Sequence, residues 1–309
     1  MPTGTMTRRD TASCLVLVDG QAVRCPLPGR WRQTRRGSAC PIAVGDRVEV
    51  ALQPNGEGVL GNVLPRHGGK LSRKAAGESE GEQVVAVNLD QLVVVAAAAD
   101  PPLNRRLIDR LSVSGENGEL DVHLVINKID LVDPAPYDAV LDLYRGLGYR
   151  ALATSATTGA GVDRLREELR DKTSVLSGPS GVGKSTLLMA VQPGLELRVQ
   201  PVSESTGKGR HTTSAVSLLP LDFGGYVADT PGIREFALYD LERDDLKHCF
   251  PEMAKLFGSC RFADCSHRQE PGCAVRNAVE AGAIDAERYE SYCLIHDSIS
   301  EPDPARRRR

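Results

Sequence analysis

The sequence contains Gly178-Pro179-Ser180-Gly181-Val182-Gly183-Lys184-Ser185, which matches the pattern G-x-x-x-x-G-K-S/T without a gap. An apolar strand, Ser174 to Ser177, is predicted before this stretch, and a helix, Lys184 to Val191, is predicted to begin inside it and to include Thr186. Glycines let backbone N–H groups wrap phosphates, and a helix N-terminus favours negative charge. The stretch therefore predicts a phosphate-binding loop, with Lys184 on the β- and γ-phosphates and the Ser185 hydroxyl on Mg²⁺.

Two further segments downstream suit a triphosphate site. Asp229-Thr230-Pro231-Gly232 follows a predicted strand, Tyr226 to Asp229; we expect Asp229 to hold Mg²⁺ through water and the Gly232 N–H to contact the γ-phosphate. Between the two motifs, residues 203–214 are rich in Gly, Ser and Thr, as a nucleotide-sensing switch would be. Thr212 or Thr213 could complete the Mg²⁺ shell there. The alternative interpretation of Asp229 to Gly232 is an ordinary turn, and that of residues 203–214 is a flexible surface loop.

A base-recognition motif is predicted upstream. Asn127-Lys128-Ile129-Asp130 ends a predicted strand, Val122 to Asn127. The Asp130 carboxylate can accept the N1 and N2 protons of guanine, the Lys128 stem can lie along the purine, and Asn127 can tie neighbouring loops together. Thr154-Ser155-Ala156 follows the next strand, Arg150 to Thr154, where the Ala156 N–H can bond guanine O6. Each motif alone is weak evidence for guanine binding, but two such motifs at the ends of successive strands predict a guanine site.

The order of these motifs is inverted, because the guanine motif precedes the phosphate loop by about fifty residues. The chain is therefore predicted to be a circularly permuted GTPase with a parallel α/β sheet over residues 83–240. Its predicted helices are Leu103 to Ser114, Tyr137 to Leu147, Val162 to Leu169 and Lys184 to Val191, and its first strand is Leu92 to Ala98. Permutation also connects the C-terminal residues directly to the Asp229 motif, so the nucleotide state could set the angle between the terminal modules.

Two rival interpretations remain open at this point. A P-loop ATPase or kinase would share the phosphate loop, but Asn127 and Asp130 argue against it. An RNA-binding protein that holds nucleotide only as a structural ligand is disfavoured by Lys184 and Asp229, which are the groups that hydrolysis needs.

The remaining residues predict two flanking modules and a tail. Short β-rich runs over residues 11–68 favour an oligonucleotide-binding (OB-fold) barrel, and the polar residues 69–82 favour a linker. Residues 241–300 are predicted to form a helical cysteine-rich module, and residues 301–309 a basic tail. Residues 1–74 hold twelve Arg or Lys against five Asp or Glu, although the whole chain has a net charge of −3. This asymmetry favours an RNA partner for the barrel over a merely solvated basic surface. Trp31, among Arg30, Arg32, Arg35 and Arg36, could stack on a base or belong to the core.

Four of the six cysteines and histidines that follow residue 259 have metal-ligand spacing: Cys260, Cys265, His267 and Cys273. Three thiolates and one imidazole fill a tetrahedral Zn²⁺ shell and leave no open position, so the predicted zinc is structural. Cys14, Cys25 and Cys40 lack such spacing and are expected to be small buried hydrophobic residues.

The longest apolar run, Leu92 to Ala99, is too short to cross a bilayer, and the start of the chain does not look like a signal peptide, so we expect a cytoplasmic protein.

Taken together, these motifs resemble the ribosome small-subunit-dependent GTPase family, RsgA, also called YjeQ, along nearly the whole chain. The segment Gly209-Arg210-His211-Thr212-Thr213 also fits that family. The resemblance implies an assembly factor that binds the small ribosomal subunit late in its maturation, contacts 16S rRNA and hydrolyses GTP when the subunit stimulates it. We expect it to act as a monomer.

The hydrolytic group is the least defined part of the site. Ile233 stands where many GTPases carry a glutamine that orients the attacking water, and an isoleucine cannot do so. We therefore expect slow intrinsic hydrolysis. The predicted catalytic residues are Lys184 and, for positioning water, His211; that His211 is merely a loop residue is the alternative.

Overall fold

The structure, a computed structural model, describes residues 1–32, 42–74, 82–195, 216–229 and 241–299. Within these ranges no helix is both long enough and apolar enough to span a membrane.

Five antiparallel strands build the N-terminal module. They are β1 (Thr3–Arg9), β2 (Ser13–Val18), β3 (Gln21–Pro26), β4 (Arg47–Leu52) and β5 (Gly58–Val63), with a one-turn helix α1 (Gly29–Arg32) after β3. β1 is the central strand because it pairs with both β2 and β4, and β3 and β5 contact each other, so the sheet curls on itself. The interior holds Met6, Val16, Val48 and both cysteines that the sequence predicted to be buried here, Cys14 and Cys25; Cys40 lies outside the described residues.

This module begins earlier than the predicted boundary at residue 11, because β1 occupies Thr3–Arg9. The inward positions of β1 are Gly4 and Met6, and a Cβ on Gly4 would lie only 2.6 Å from the carbonyl oxygen of Leu17. One glycine and one methionine give too weak an apolar alternation for the strand to be found by pattern. Trp31 is 8% exposed and packs in the barrel interior, so the core interpretation of this residue holds.

The predicted linker over 69–82 is wrong for its first half. Residues Gly69–Lys74 form β6, which pairs antiparallel with β7 (Glu82–Leu89) in a separate two-stranded sheet. Leu71 is buried in the core of the central domain, while the charged residues around it hide the strand in the sequence. The hairpin ties the barrel to this domain: Val44 pairs with Ala86, and the Asn88 side chain donates to the carbonyl oxygen of Gly45 at 2.8 Å.

The central domain is a mostly parallel sheet with helices on both faces. In chain order its elements are β8 (Gln91–Ala97), α2 (Arg105–Asn117), β9 (Asp121–Asn127), α3 (Ala135–Gly146), β10 (Arg150–Ala153), α4 (Val162–Leu169), β11 (Thr173–Ser177), α5 (Lys184–Val191), β12 (Ser217–Pro220) and β13 (Tyr226–Asp229). The strand order is β10-β9-β8-β11-β13-β12, and only β12 is antiparallel to its neighbour. All five predicted strands and four predicted helices are present, while β12 was not predicted.

The sheet does not end at β12. Its outer side pairs antiparallel with β1, where Arg8 lies opposite Ser217, so the barrel strands continue the sheet of the central domain. Apolar side chains cover both faces of the central part: one core packs under α2 and α3, and the other under α4 and α5. β8 is buried at every position, as a central parallel strand requires.

Four helices form the C-terminal module: α6 (Arg243–Leu246), α7 (Pro251–Ala254), α8 (Ala274–Glu280) and α9 (Ala286–Ser298). Its core includes Val113 from α2, so the module packs directly on the central domain. At this contact Arg288 is 1% exposed and bonds Asp109 of α2 (2.6 Å) and Glu252 of α7 (2.8 Å). Asp109 also accepts the hydroxyl of Tyr144 on α3.

Candidate nucleotide site and metal centre

The predicted phosphate loop joins β11 to α5 at the carboxyl edge of the parallel sheet. Gly183 is the residue before the helix and has φ +90°, a conformation that favours glycine. A Cβ there would lie 2.6 Å from Nδ2 of Asn127, so the close approach of the guanine motif also requires glycine. The Lys184 ammonium folds back onto the loop and donates to the carbonyl oxygens of Gly178 (2.8 Å) and Pro179 (2.9 Å). It therefore lies within the turn that would enclose phosphate.

Asn127 links three loops at this edge. It ends β9 and is 1% exposed. Its Nδ2 donates to the carbonyl oxygen of Val182 at 2.9 Å, and its Oδ1 accepts from the hydroxyl of Thr154 at 3.3 Å and from the N–H of Ala156 at 3.2 Å. The structure thus brings the two predicted guanine segments together with the phosphate loop. The Ala156 N–H, predicted to bond guanine O6, is held by Asn127 in this structure.

Lys128 and Asp130 of the guanine motif lie at the same edge, where Lys128 is half-buried and Asp130 is exposed. Lys128 has a left-handed backbone (φ 62°), and its ammonium donates to the carbonyl oxygen of Asp100. Asp130 lies exposed in a 3₁₀ turn, where its carboxylate is accessible. The Ser155 hydroxyl instead accepts the N–H of Thr158 at 3.1 Å and stabilises its own loop.

The loop between β8 and α2 is also part of this edge, although no motif in its sequence predicts a role for it. It supplies the Asp100 carbonyl to Lys128, and a Cβ on Gly181 would lie 3.6 Å from Cδ of Pro101. The signal that could have found this loop is its position. Asp100-Pro101-Pro102 begins three residues after the end of a fully buried strand, in a sheet whose neighbouring strand ends carry the other motifs.

The structure tests only part of the predicted triphosphate site. His211, Thr212, Thr213 and Gly232 lie outside the described residues, and only the backbone of Asp229, at the end of β13, is described. β13 lies next to β11, so the Asp229 backbone is beside the strand that leads into the phosphate loop.

The four predicted zinc ligands form one cluster in the C-terminal module, with their ligand atoms all within 4.8 Å of one another. Nδ1 of His267 lies 3.6 Å from Sγ of Cys260 and 3.5 Å from Sγ of Cys273. A tetrahedral ion with Zn–S of about 2.3 Å and Zn–N of about 2.0 Å places such atoms about 3.6 Å apart, so the donor set fits Zn²⁺. The imidazole would bind through Nδ1.

The loop that carries these ligands is held by groups other than the metal. Glu270 accepts from the hydroxyl and N–H of Ser266 and from the N–H groups of Arg268 and Gln269. Burial opposes its ionisation, but these hydrogen bonds outweigh that effect and lower the pKa of Glu270 to about 2. The N–H of Ala274 donates to Sγ of Cys260 at 3.3 Å, which suits a thiolate ligand.

A parallel sheet whose base loop precedes and contacts its phosphate loop defines a circularly permuted GTPase. The model of the RsgA GTPase family matches residues 63–239, and the chain belongs to this family. It is 45% identical over 282 residues to the small ribosomal subunit biogenesis GTPase RsgA of Gemmatimonas aurantiaca, with 91% of each chain covered. For the protein of that name in Chlorobaculum parvum the identity is 43%, with 96% of this chain and 98% of the relative covered.

Solved structures agree with this assignment. YjeQ from Thermotoga maritima superposes with a TM-score of 0.78 at 37% identity, covering 96% of this chain and 98% of that one. YloQ, described as a circularly permuted GTPase, gives a TM-score of 0.76 at 30% identity, covering 97% of this chain and 95% of that one.

Proposed function

We propose that this protein binds GTP with Mg²⁺ at the carboxyl edge of its sheet, hydrolyses it to GDP and phosphate, and acts in maturation of the small ribosomal subunit. The observation that carries the nucleotide site is the hydrogen bond from Asn127 to the Val182 carbonyl, which joins the base loop to a phosphate loop 55 residues later. The relatives named small ribosomal subunit biogenesis GTPase support the biological role.

The phosphates would be held by the backbone of residues 178–186 and by Lys184. The ammonium now bonds two loop carbonyl oxygens, and a phosphate would replace them as a stronger, charged acceptor. Ser185 and Asp229 would hold Mg²⁺, together with Thr212 or Thr213, and bound Mg²⁺ neutralises charge between the β- and γ-phosphates.

Guanine selectivity would come from Asp130, which is exposed beside the loops that Asn127 joins. Its carboxylate accepts two guanine protons, whereas adenine offers a mismatched edge. The Ala156 N–H would bond guanine O6 and would then share or lose its present acceptor on Asn127. Lys128, directed across the loop toward Asp100, would support the purine face.

For hydrolysis, Ile233 provides no group that can orient water, and His211 is our candidate for that role. Because Ile233 stands where many GTPases carry the glutamine that orients water, intrinsic turnover would be slow and the ribosomal particle would stimulate it.

The flanking modules would provide the contacts with the particle. We assign the N-terminal module as an OB-fold that contacts 16S rRNA; with Trp31 buried, its arginines would bind phosphate groups while that indole supports the core. The C-terminal cluster would hold one structural Zn²⁺, and the protein would act as a monomer.

The decisive experiment measures phosphate release from GTP and from ATP, with and without purified small ribosomal subunits. We expect GTP turnover to rise at least tenfold with subunits and ATP turnover to stay at background. Lys184→Ala should abolish the stimulated reaction. Stimulated turnover that His211→Ala leaves unchanged would remove His211 from the mechanism, and equal use of ATP would overturn the guanine assignment.

A further inference from the structure

Three residues from three strands lie in one row across the sheet. Ser217 of β12 is opposite Asp229 of β13 on one side and opposite Arg8 of β1 on the other. β1 belongs to the N-terminal barrel, while β12 and β13 belong to the nucleotide-binding domain. The two units are therefore joined by strand pairing at this row.

The row lies where both predicted nucleotide-sensing segments join the sheet. Ser217 is the first residue of β12, which follows the segment predicted to contain the first switch, and Asp229 is the last residue of β13 and the first of the Asp229 to Gly232 motif. β12 and β13 form a hairpin whose open end carries both segments. The barrel is thus attached at that end, next to the residues that would respond to the γ-phosphate.

A displacement of β1 would be transmitted to the barrel. β1 is the central strand of that module: Thr3 to Thr5 pair with β4, and Thr5 to Arg9 pair with β2. The barrel touches the central domain at a second place as well, where Val44 pairs with Ala86. The barrel therefore contacts the central domain at two places, the β6–β7 hairpin and β12.

The row also contains a buried hydroxyl group. The Ser217 hydroxyl is buried and has no hydrogen-bond partner among the residues that the structure describes. The C-terminal module is attached elsewhere: buried Arg288 of α9 bonds Asp109 of α2 and Glu252 of α7, and none of these residues belongs to β12 or β13.

We propose that β1 couples the nucleotide state to RNA engagement by the barrel, through the row formed by Arg8, Ser217 and Asp229. The inference rests on the proposed function, since it needs a barrel that binds the ribosomal subunit and switches that sense the γ-phosphate. Coupling between two binding sites is reciprocal, so subunit binding would also alter nucleotide affinity.

The first test is hydrogen exchange on the intact, zinc-loaded protein, with Mg²⁺ and either GDP or a non-hydrolysable GTP analogue. We expect amide exchange in Thr3–Arg9 and Ser217–Pro220 to differ about fivefold or more between the two states. The strand Gln21–Pro26 should not change, because it lies in the same barrel but is separated from β12 by β1 and β2 in the order of the sheet. Equal exchange of β1 in both states would overturn the proposal, whether or not ribosomes bind.

The second test compares Arg8→Gly with Arg24→Gly. Both arginines lie opposite Leu15, one on each side of β2, but only Arg8 is paired with β12. The readout is the ratio of small-subunit affinities in the GTP-analogue and GDP states. Each variant loses one positive charge, so absolute affinity can fall in both.

We expect Arg8→Gly to move the wild-type ratio toward one by about fivefold or more, within the usual range of coupling factors, and Arg24→Gly to leave it within about twofold. A wild-type ratio of one, or equal ratios in the two variants, would refute coupling through β1. Absence of subunit binding in both nucleotide states would instead refute the proposed function, and the exchange experiment would still show whether β1 responds to the nucleotide state.

Discussion

Replacing Arg288 by Met should detach the C-terminal module from the central domain. The guanidinium is 1% exposed and is shared between two carboxylates from different parts of the chain, Asp109 and Glu252, which are 0% and 8% exposed. Its plane also lies over the rings of Phe250 and Tyr144, at 4.7 and 5.5 Å from their centroids. Although burial acts in the opposite direction, the two carboxylates raise the pKa of Arg288 well above its ordinary value.

The free-energy cost of Arg288→Met follows from the two carboxylates that the substitution leaves unpaired. Methionine keeps the apolar contacts but leaves two buried carboxylates without their cation. Removing one partner of a buried ion pair costs about 3–5 kcal/mol, because the remaining charge stays desolvated. A second contact between the same helices supplies the control: Arg106 pairs with Glu290, but the two side chains are 61% and 52% exposed. Arg106→Met should cost about 0–1 kcal/mol.

The assay is hydrogen exchange of α9 at a fixed zinc concentration, together with denaturant unfolding that follows the C-terminal module. Zinc has to be held constant because metal binding contributes to the stability of such modules. Neutralising both acids in the variant, as Asp109→Asn with Glu252→Gln, should recover part of the lost stability. If Arg288→Met costs no more than Arg106→Met, or if neutralisation recovers nothing, the network does not stabilise this interface as argued.

Three shorter predictions concern the sites themselves. Gly183→Ala should weaken GDP binding at least tenfold in a fluorescent-nucleotide titration, because the added methyl would meet Nδ2 of Asn127 at 2.6 Å on a backbone with φ +90°; wild-type affinity would refute the contact. Cys265→Ser should release zinc to a colorimetric chelator while Cys293→Ser retains it, since only the former belongs to the ligand cluster; equal retention would exclude Cys265 as a ligand. Glu270, whose folded pKa of about 2 is below the unfolded value of about 4.3, stabilises the fold above pH about 4.3 and loses that effect as pH falls toward 2. The difference in unfolding free energy between wild type and Glu270→Gln should therefore be largest near neutral pH and shrink in acid; a constant difference would contradict this.

The central sheet was predictable because each of its strands carries its own signal. β8 is apolar throughout, and β9, β11 and β13 each end in a motif whose chemistry requires a strand end. β1 and β6 were missed because each buries few apolar side chains. β1 has Met6 and a glycine inward, and β6 has Leu71 among charged residues, so partners elsewhere in the chain define both strands.

Contacts between modules were beyond prediction for a related reason. Arg288 and Asp109 are 179 residues apart, and neither residue type is expected to be buried without its partner. The sequence alone does not distinguish Arg288 and Asp109 from the other charged residues on their helices. The hypothesis that the nucleotide state changes the angle of the C-terminal module depends on such contacts. The buried Arg288 network favours the barrel, and not this module, as the part that responds to the switches.

The permuted chain order explains why the barrel can lie beside β12. β12 would otherwise be an edge strand with a row of unpaired N–H and C=O groups, and exposed edges favour unwanted association. Pairing with β1 covers this edge at Ser217, the first residue of β12. Because the guanine motif comes first in the permuted chain, the strands that flank the switches come last in the domain, and the N-terminal module is free in sequence to pair with them. The pairing of Arg8 with Ser217 therefore also connects the N-terminal module to the hairpin formed by β12 and β13.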